Sequence, residues 1–165
     1  TINPHIKVIR NDELTVDEIE KLHPDHIVLS PGPGYPKDAG VCEEVVLKLQ
    51  GKVPILGVCL GHQGICEVYG ATICHAKQLK STVTIDTKKP IFAGLPEKAE
   101  VARYHSLIAD MDTIPEELEV ISVDENNEVM AVKHRQYDVY GLQFHPESIM
   151  TPDGMKIIEN FLNLR

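Results

Sequence analysis

No stretch of this 165-residue chain approaches the ~18 uninterrupted apolar residues that a membrane-spanning helix requires, which argues against a membrane role. The first residues carry no basic segment leading into an apolar one, so no secretory leader is expected. Positive charge is scarce. Sixteen Lys and Arg stand against 25 Asp and Glu, for a net charge of -9 and no basic cluster, which excludes non-specific nucleic-acid binding. The four cysteines, Cys42, Cys59, Cys66 and Cys74, include no Cys-x-x-Cys pair, and a chain of this size needs no disulfide staples. Reduced thiols and a cytoplasmic location are expected. Repeats, low-complexity segments and linkers are also missing, so residues 1–165 read as one domain with a substantial core.

What is there begins as alternating strand and helix. His5–Arg10 reads as a short strand. Thr15-x-x-Glu18 is a capping box opening a helix with Val16, Ile19 and Leu22 at helical spacing. The run 26–29 is β-branched and apolar, and Ser30-Pro31-Gly32-Pro33-Gly34 cuts it off. A helix over about 41–49, a strand over 53–58 and a helix over about 61–69 follow. The second half is strand-rich, with segments at 71–76, 81–86, 100–104, 118–124, 128–134 and 139–145. A last helix is expected to start near Thr151, with Thr151 as cap, Pro152 at the first helical position, and Ile157, Ile158, Phe161 and Leu162 facing inward. This order predicts an α/β fold: a mostly parallel central sheet flanked by helices, three-layered like flavodoxin or Rossmann domains, with some antiparallel strands in the C-terminal half. Ligands of such sheets bind beyond the carboxyl ends of the strands.

Gly57-Val58-Cys59-Leu60-Gly61 lies at one such strand end. A nucleophile flanked by glycines at i−2 and i+2, between strand and helix, has the layout of a nucleophile elbow, with cysteine in place of serine. The helix N-terminus that follows favours the thiolate. Alone, Cys59 reads equally well as a small core residue. A metal site from Cys59, His62 and Cys66 is a weaker rival, with three ligands and no supporting Cys-x-x-Cys.

A cysteine nucleophile needs a base. Among eight histidines, His145 directly follows a strand, Pro146 stops that strand, and Glu147 lies two residues on, where both side chains can point the same way. Glu147 could hold the second ring nitrogen, as the acid does in a serine triad. His5, His23 and His26 read as surface turn residues. Alone, His-Pro-Glu reads as a polar turn; beside the elbow it reads as a base and its orienting acid.

At these residues the chain resembles the class I, or triad, glutamine amidotransferases, whose signatures are a Gly-x-Cys-x-Gly elbow and a downstream His-Pro-Glu. Ser30–Pro36, Arg103–Leu107 and Gly141–Ser148 are similar to the branch serving chorismate enzymes: anthranilate synthase component II and its aminodeoxychorismate synthase counterpart. The resemblance runs essentially end to end. It implies that Cys59, His145 and Glu147 hydrolyse L-glutamine through a γ-glutamyl thioester. It further implies a loop of Gly32, Pro33 and Gly34 whose backbone contacts glutamine, with the N–H groups of Gly34 and Leu60 as oxyanion hole. Gln63, Ser106 and Leu107 would hold the α-amino and α-carboxylate end. No metal or cofactor is implied. The implied partner is a separate, larger chorismate-binding synthase subunit, of anthranilate synthase first and aminodeoxychorismate synthase second, and such glutaminases are weak until it docks.

The chain departs from that pattern in two places. The family normally begins with a strand and a helix, the strand ending in an Asp-Asn-Tyr-Asp-Ser-Phe-like motif, and this chain starts after them. Lys77–Ser81 is a few residues shorter than in relatives. Both are expected to be missing segments rather than evolved deletions; for the first strand the reason is that native sheets avoid unpaired interior edges. Two other classes stay in view: a stand-alone Cys–His hydrolase of γ-glutamyl compounds, and a non-catalytic domain that retains the fold.

Overall fold

The computed structural model describes residues 3–76, 82–102 and 106–165. The expectations for Lys77–Ser81 and for Arg103–His105 lie outside the described residues.

Local chemistry starts the first helix, α1 (Val16–Lys21). The Thr15 hydroxyl accepts the Glu18 N–H at 3.2 Å, and the Glu18 carboxylate accepts the Thr15 N–H at 3.2 Å, which completes the capping box. Val16 and Ile19 turn inward, whereas Leu22, at the C-cap, is exposed. The other α-helices among the described residues are α2 (Cys42–Leu49), α3 (Leu60–Val68) and α4 (Gly154–Leu162).

The described strands are β1 (Ile27–Leu29), β2 (Ile55–Val58), β3 (Ile73–His75), β4 (Thr82–Ile85), β5 (Lys98–Glu100), β6 (Leu107–Ala109), β7 (Leu118–Asp124), β8 (Val129–His134) and β9 (Val139–Leu142). Seven form one sheet in the order β1-β2-β9-β8-β7-β4-β5, while β3 and β6 pair separately. β1, β2 and β9 are parallel, and every pairing beyond β9 is antiparallel. β1, β2, β9, β7 and β5 therefore run one way, and β8 and β4 the other. Connection chemistry explains the change. β1 reaches β2 through α2, the crossover that parallel strands need. β7 turns straight back into β8, where the Asp124 carboxylate accepts the N–H groups of Asn126 and Glu128 at 2.8 and 2.9 Å.

Two cores lie on opposite faces of this sheet. α1, α2 and α3 pack Val16, Val46 and Ile65 against Leu29, Ile55, Val132 and Val139. On the other face, Ile157 and Phe161 of α4 meet Phe92, Leu56, Tyr140 and Leu142, with Ile158 and Leu162 partly buried beside them. Alternation along β2 and β9 divides the side chains between the faces, and each large apolar side chain buried contributes ~1.5–3 kcal/mol.

Four expectations need correction. His5–Arg10 is not a strand: Ile6 and Val8 are exposed, and among the described residues no strand pairs with this segment. An apolar alternation becomes a strand only where a partner accepts its hydrogen bonds. Of the segment expected at 100–104, only Glu100 belongs to a strand, as the last residue of β5, while Ala102 forms an isolated bridge to His145 and 103–104 lie outside the described residues. Thr151 does not cap α4, which begins at Gly154, because its hydroxyl is engaged elsewhere. That hydroxyl accepts the Ala102 N–H at 2.8 Å and donates to the His145 carbonyl at 2.7 Å. Finally, His26 is no free surface residue. Its Nε2 lies 2.7 Å from the Leu164 carbonyl and its ring packs edge-on to Phe161, tying the C-terminal residues down.

Candidate functional site

The carboxyl ends of two adjacent parallel strands carry the two groups singled out from sequence. Val58 of β2 pairs with Leu142 of β9, and the Cys59 N–H donates to the Leu142 carbonyl at 2.7 Å. The chain then turns sharply. Cys59 has φ 53° and ψ −101°, and α3 begins at the next residue. Holding a side-chain-bearing residue there costs about 1–3 kcal/mol and persists only where the surroundings over-determine it. They do so here. The Gln63 N–H donates to the Cys59 carbonyl at 2.9 Å. Gly61 lies so close to β1 that an added Cβ would collide with the Leu29 carbonyl oxygen. Gly141 of β9 likewise leaves room for the His62 ring. Small residues thus let α3 settle onto the sheet and fix the turn.

His145 lies three residues beyond Leu142. Its N–H donates to the Ala102 carbonyl at 2.9 Å and its own carbonyl accepts from Thr151, so the backbone is clasped from two sides. The ring is buried, and its Nδ1 lies 2.6 Å from Glu147 Oε1, the short separation of a charge-assisted hydrogen bond. Glu147 itself is more than half exposed. A carboxylate on Nδ1 selects the tautomer with its proton there and makes Nε2 the acceptor nitrogen of the ring.

The loop after β1 meets the elbow at Gly32, where an added Cβ would come 3.0 Å from Leu60 Cδ2. Pro33 and Gly34 follow on the exposed side. Leu60, the first residue of α3, has its N–H at the helix N-terminus, where backbone donors are unsatisfied and anions are favoured. Gln63, one turn into α3, is buried and donates through Nε2 to the Leu107 carbonyl at 3.0 Å. The structure therefore brings Gln63 and Leu107 together, while Ser106 is exposed and accepts the Ala76 N–H at 2.6 Å.

Cys59 is 1% exposed and its sulfur has a side-chain neighbour that sequence reasoning passed over. Gln143 Nε2 lies 3.7 Å from Cys59 Sγ, and Gln143 Oε1 accepts from Gln63 Nε2 at 3.4 Å. A polar side chain between Leu142 and Phe144 was the available signal. His62 and Cys66, the other members of the rival metal set, pack against each other in the core, with Sγ 3.8 Å from Nε2. Burial holds His62 neutral, its pKa pushed down to about 3, and pushes the Cys66 thiol up. Among the described residues no group of three or more His, Cys, Asp and Glu is arranged to hold a metal ion.

Comparison with known proteins places the chain in a family. The family model for glutamine amidotransferase class-I matches residues 1–164. Bifunctional protein TrpGD of Thermotoga maritima is 45% identical over 163 residues, 97% of this chain but 28% of that protein. Multifunctional tryptophan biosynthesis proteins of three fungi are likewise covered over less than half of their length. Anthranilate synthase component 2 of Pseudomonas aeruginosa is 43% identical, covering 98% of this chain and 84% of that one. Aminodeoxychorismate/anthranilate synthase component 2 of Bacillus subtilis is 42% identical with the same coverage. Among solved structures, a Thermoplasma acidophilum protein described as a candidate component of GMP synthase superposes with a TM-score of 0.83. It is 27% identical, and the match covers 94% of this chain and 78% of that one.

Proposed function

The chain belongs to the class-I glutamine amidotransferase family, and we propose that it is the glutaminase of a two-component synthase that consumes chorismate. Its reaction is the hydrolysis of L-glutamine to glutamate, with the ammonia passed to a larger, chorismate-binding subunit. The near-equal likeness to relatives named for anthranilate and for aminodeoxychorismate synthesis leaves the product to the partner that docks.

In this reading Cys59 Sγ attacks the side-chain amide carbon of glutamine. The developing oxyanion is met by the backbone N–H groups of Gly34 and Leu60, donors of a kind worth roughly 3–4 kcal/mol each when aimed at the transition state. His145 takes the thiol proton and delivers it to the departing ammonia, which leaves a γ-glutamyl thioester. The same imidazole then activates water to release glutamate. Glu147 keeps the ring in the required tautomer and offsets its positive charge. Gln63, with Ser106 and Leu107, faces the amino-acid end of the substrate. Four free thiols suit a reducing cytoplasm, the compartment this reading assigns.

The observation that carries the reading is the pair of adjacent strand ends. One holds a cysteine at a strained positive φ before a helix; the other holds an imidazole bonded at 2.6 Å to a carboxylate. The test is glutamate release by the purified chain, alone and with a chorismate-binding synthase subunit. Release is expected to rise when the synthase is added and to fall by at least about a thousandfold in Cys59→Ser. Unchanged activity in that variant would refute the mechanism, and a rate indifferent to the synthase would refute the partnership.

A further inference from the structure

One buried polar side chain beside Cys59 has no part in that scheme. We propose that Gln143 is a positioning residue that donates an amide N–H to the Cys59 sulfur and locks Gln63 in the orientation that meets substrate. The proposal rests on Cys59 being the nucleophile and adds a residue to its control.

Gln143 follows the last residue of β9, and its backbone N–H donates to the Met130 carbonyl at 2.8 Å, so its place is set by the sheet. Its side chain is fully buried. A buried amide is stable where it is hydrogen-bonded, and both the Nε2 and the Oε1 of Gln143 bond within the site. Nε2 reaches Cys59 Sγ at 3.7 Å; Oε1 accepts from Gln63 Nε2 at 3.4 Å. Gln63 Nε2 also donates to the Leu107 carbonyl at 3.0 Å, so both of its amide protons are committed.

This chain of bonds has a single consistent direction. With the Gln143 amide reversed, its carbonyl oxygen would face the sulfur and its N–H groups would face those of Gln63. As drawn, an N–H faces the sulfur and favours the thiolate over the thiol, since hydrogen bonding to the charged form stabilises it. The same direction leaves Gln63 Oε1 as an acceptor, the atom suited to a substrate ammonium. Gln143 thereby ties the amino-acid end of the substrate site to the charge state of the nucleophile, across side chains only.

The experiment reads the thiol directly. Alkylation of Cys59 by iodoacetamide is followed against pH, with peptide mass spectrometry separating Cys59 from Cys42, Cys66 and Cys74. Gln143→Met, similar in size but without a donor, is expected to raise the apparent pKa of Cys59 by about half a unit or more. That slows alkylation near neutral pH by about threefold. Gln143→Glu, which also removes the donor and adds negative charge, is expected to raise it further. A folded variant of either kind titrating like the unaltered protein would overturn the proposal. In the unaltered protein, the NMR signal of the Gln143 side-chain amide is expected to move with the Cys59 titration, and a signal that stays still would overturn it as well. None of these readouts uses glutamine turnover, so a chain that alkylates as expected but releases no glutamate sinks the glutaminase reading alone.

Discussion

At the scale of single residues, the backbone of Cys59 states most about the site. A φ of 53° is favourable for glycine and strained for any residue with a Cβ. Elsewhere Ala→Gly destabilises by roughly 0.5–1 kcal/mol. At this position the sign reverses: Cys59→Gly is expected to be more stable than Cys59→Ala by about 1 kcal/mol, measured by urea unfolding. Alanine equal to or above glycine would show that the turn is unstrained. Much of the candidate site is legible at this scale, because Gly57, Cys59 and Gly61 are neighbours in sequence and His145, Pro146 and Glu147 are too. Gln143 is not. Its role depends on Gln63 and Cys59 lying across from it, and nothing in a linear reading says which side chains a buried amide will face.

Thr151 carries the corresponding lesson for elements. By sequence it is a helix cap, since Thr-Pro before an amphipathic run is a good start signal. In the fold, one hydroxyl joins Ala102 to His145, and the helix starts three residues later. A tertiary pair of hydrogen bonds won over a local one. Thr151→Val, which keeps shape and removes the hydroxyl, is expected to cost about 2 kcal/mol and to lower glutamine turnover, because it loosens the backbone that carries His145, the proposed base. Thr151→Ser should restore both; a Val variant with unaltered stability would contradict the clasp. The strands from β7 onward are readable because turn chemistry at Asp124–Glu128 is local. His5–Arg10 misleads for the converse reason, as its alternating pattern has no partner strand among the described residues.

Across the whole molecule, two acidic side chains between α2 and α3 tie stability to pH. Burial raises the Glu43 carboxyl from 4.5 to about 7, helped by a hydrogen bond to Glu67 and by its charge. Between those values the folded chain keeps a proton that the unfolded chain releases. The stabilisation is therefore fully present below 4.5 and is lost as pH rises through about 7. Glu43→Gln stays neutral, so its melting temperature relative to the unaltered protein is expected to climb, by a few degrees, from about pH 5 to about pH 8. A difference that does not vary with pH would remove the carboxyl pair from the account. The whole functional account depends on a covalent intermediate at one sulfur. Acid-quenched mixtures of the chain, a chorismate-binding synthase subunit and L-glutamine, digested and weighed peptide by peptide, test that directly. A γ-glutamyl group on the peptide bearing Cys59, absent in Cys59→Ser, is the result expected. Glutamate formed with that peptide always unmodified, or an adduct on Cys42, Cys66 or Cys74 instead, would contradict it.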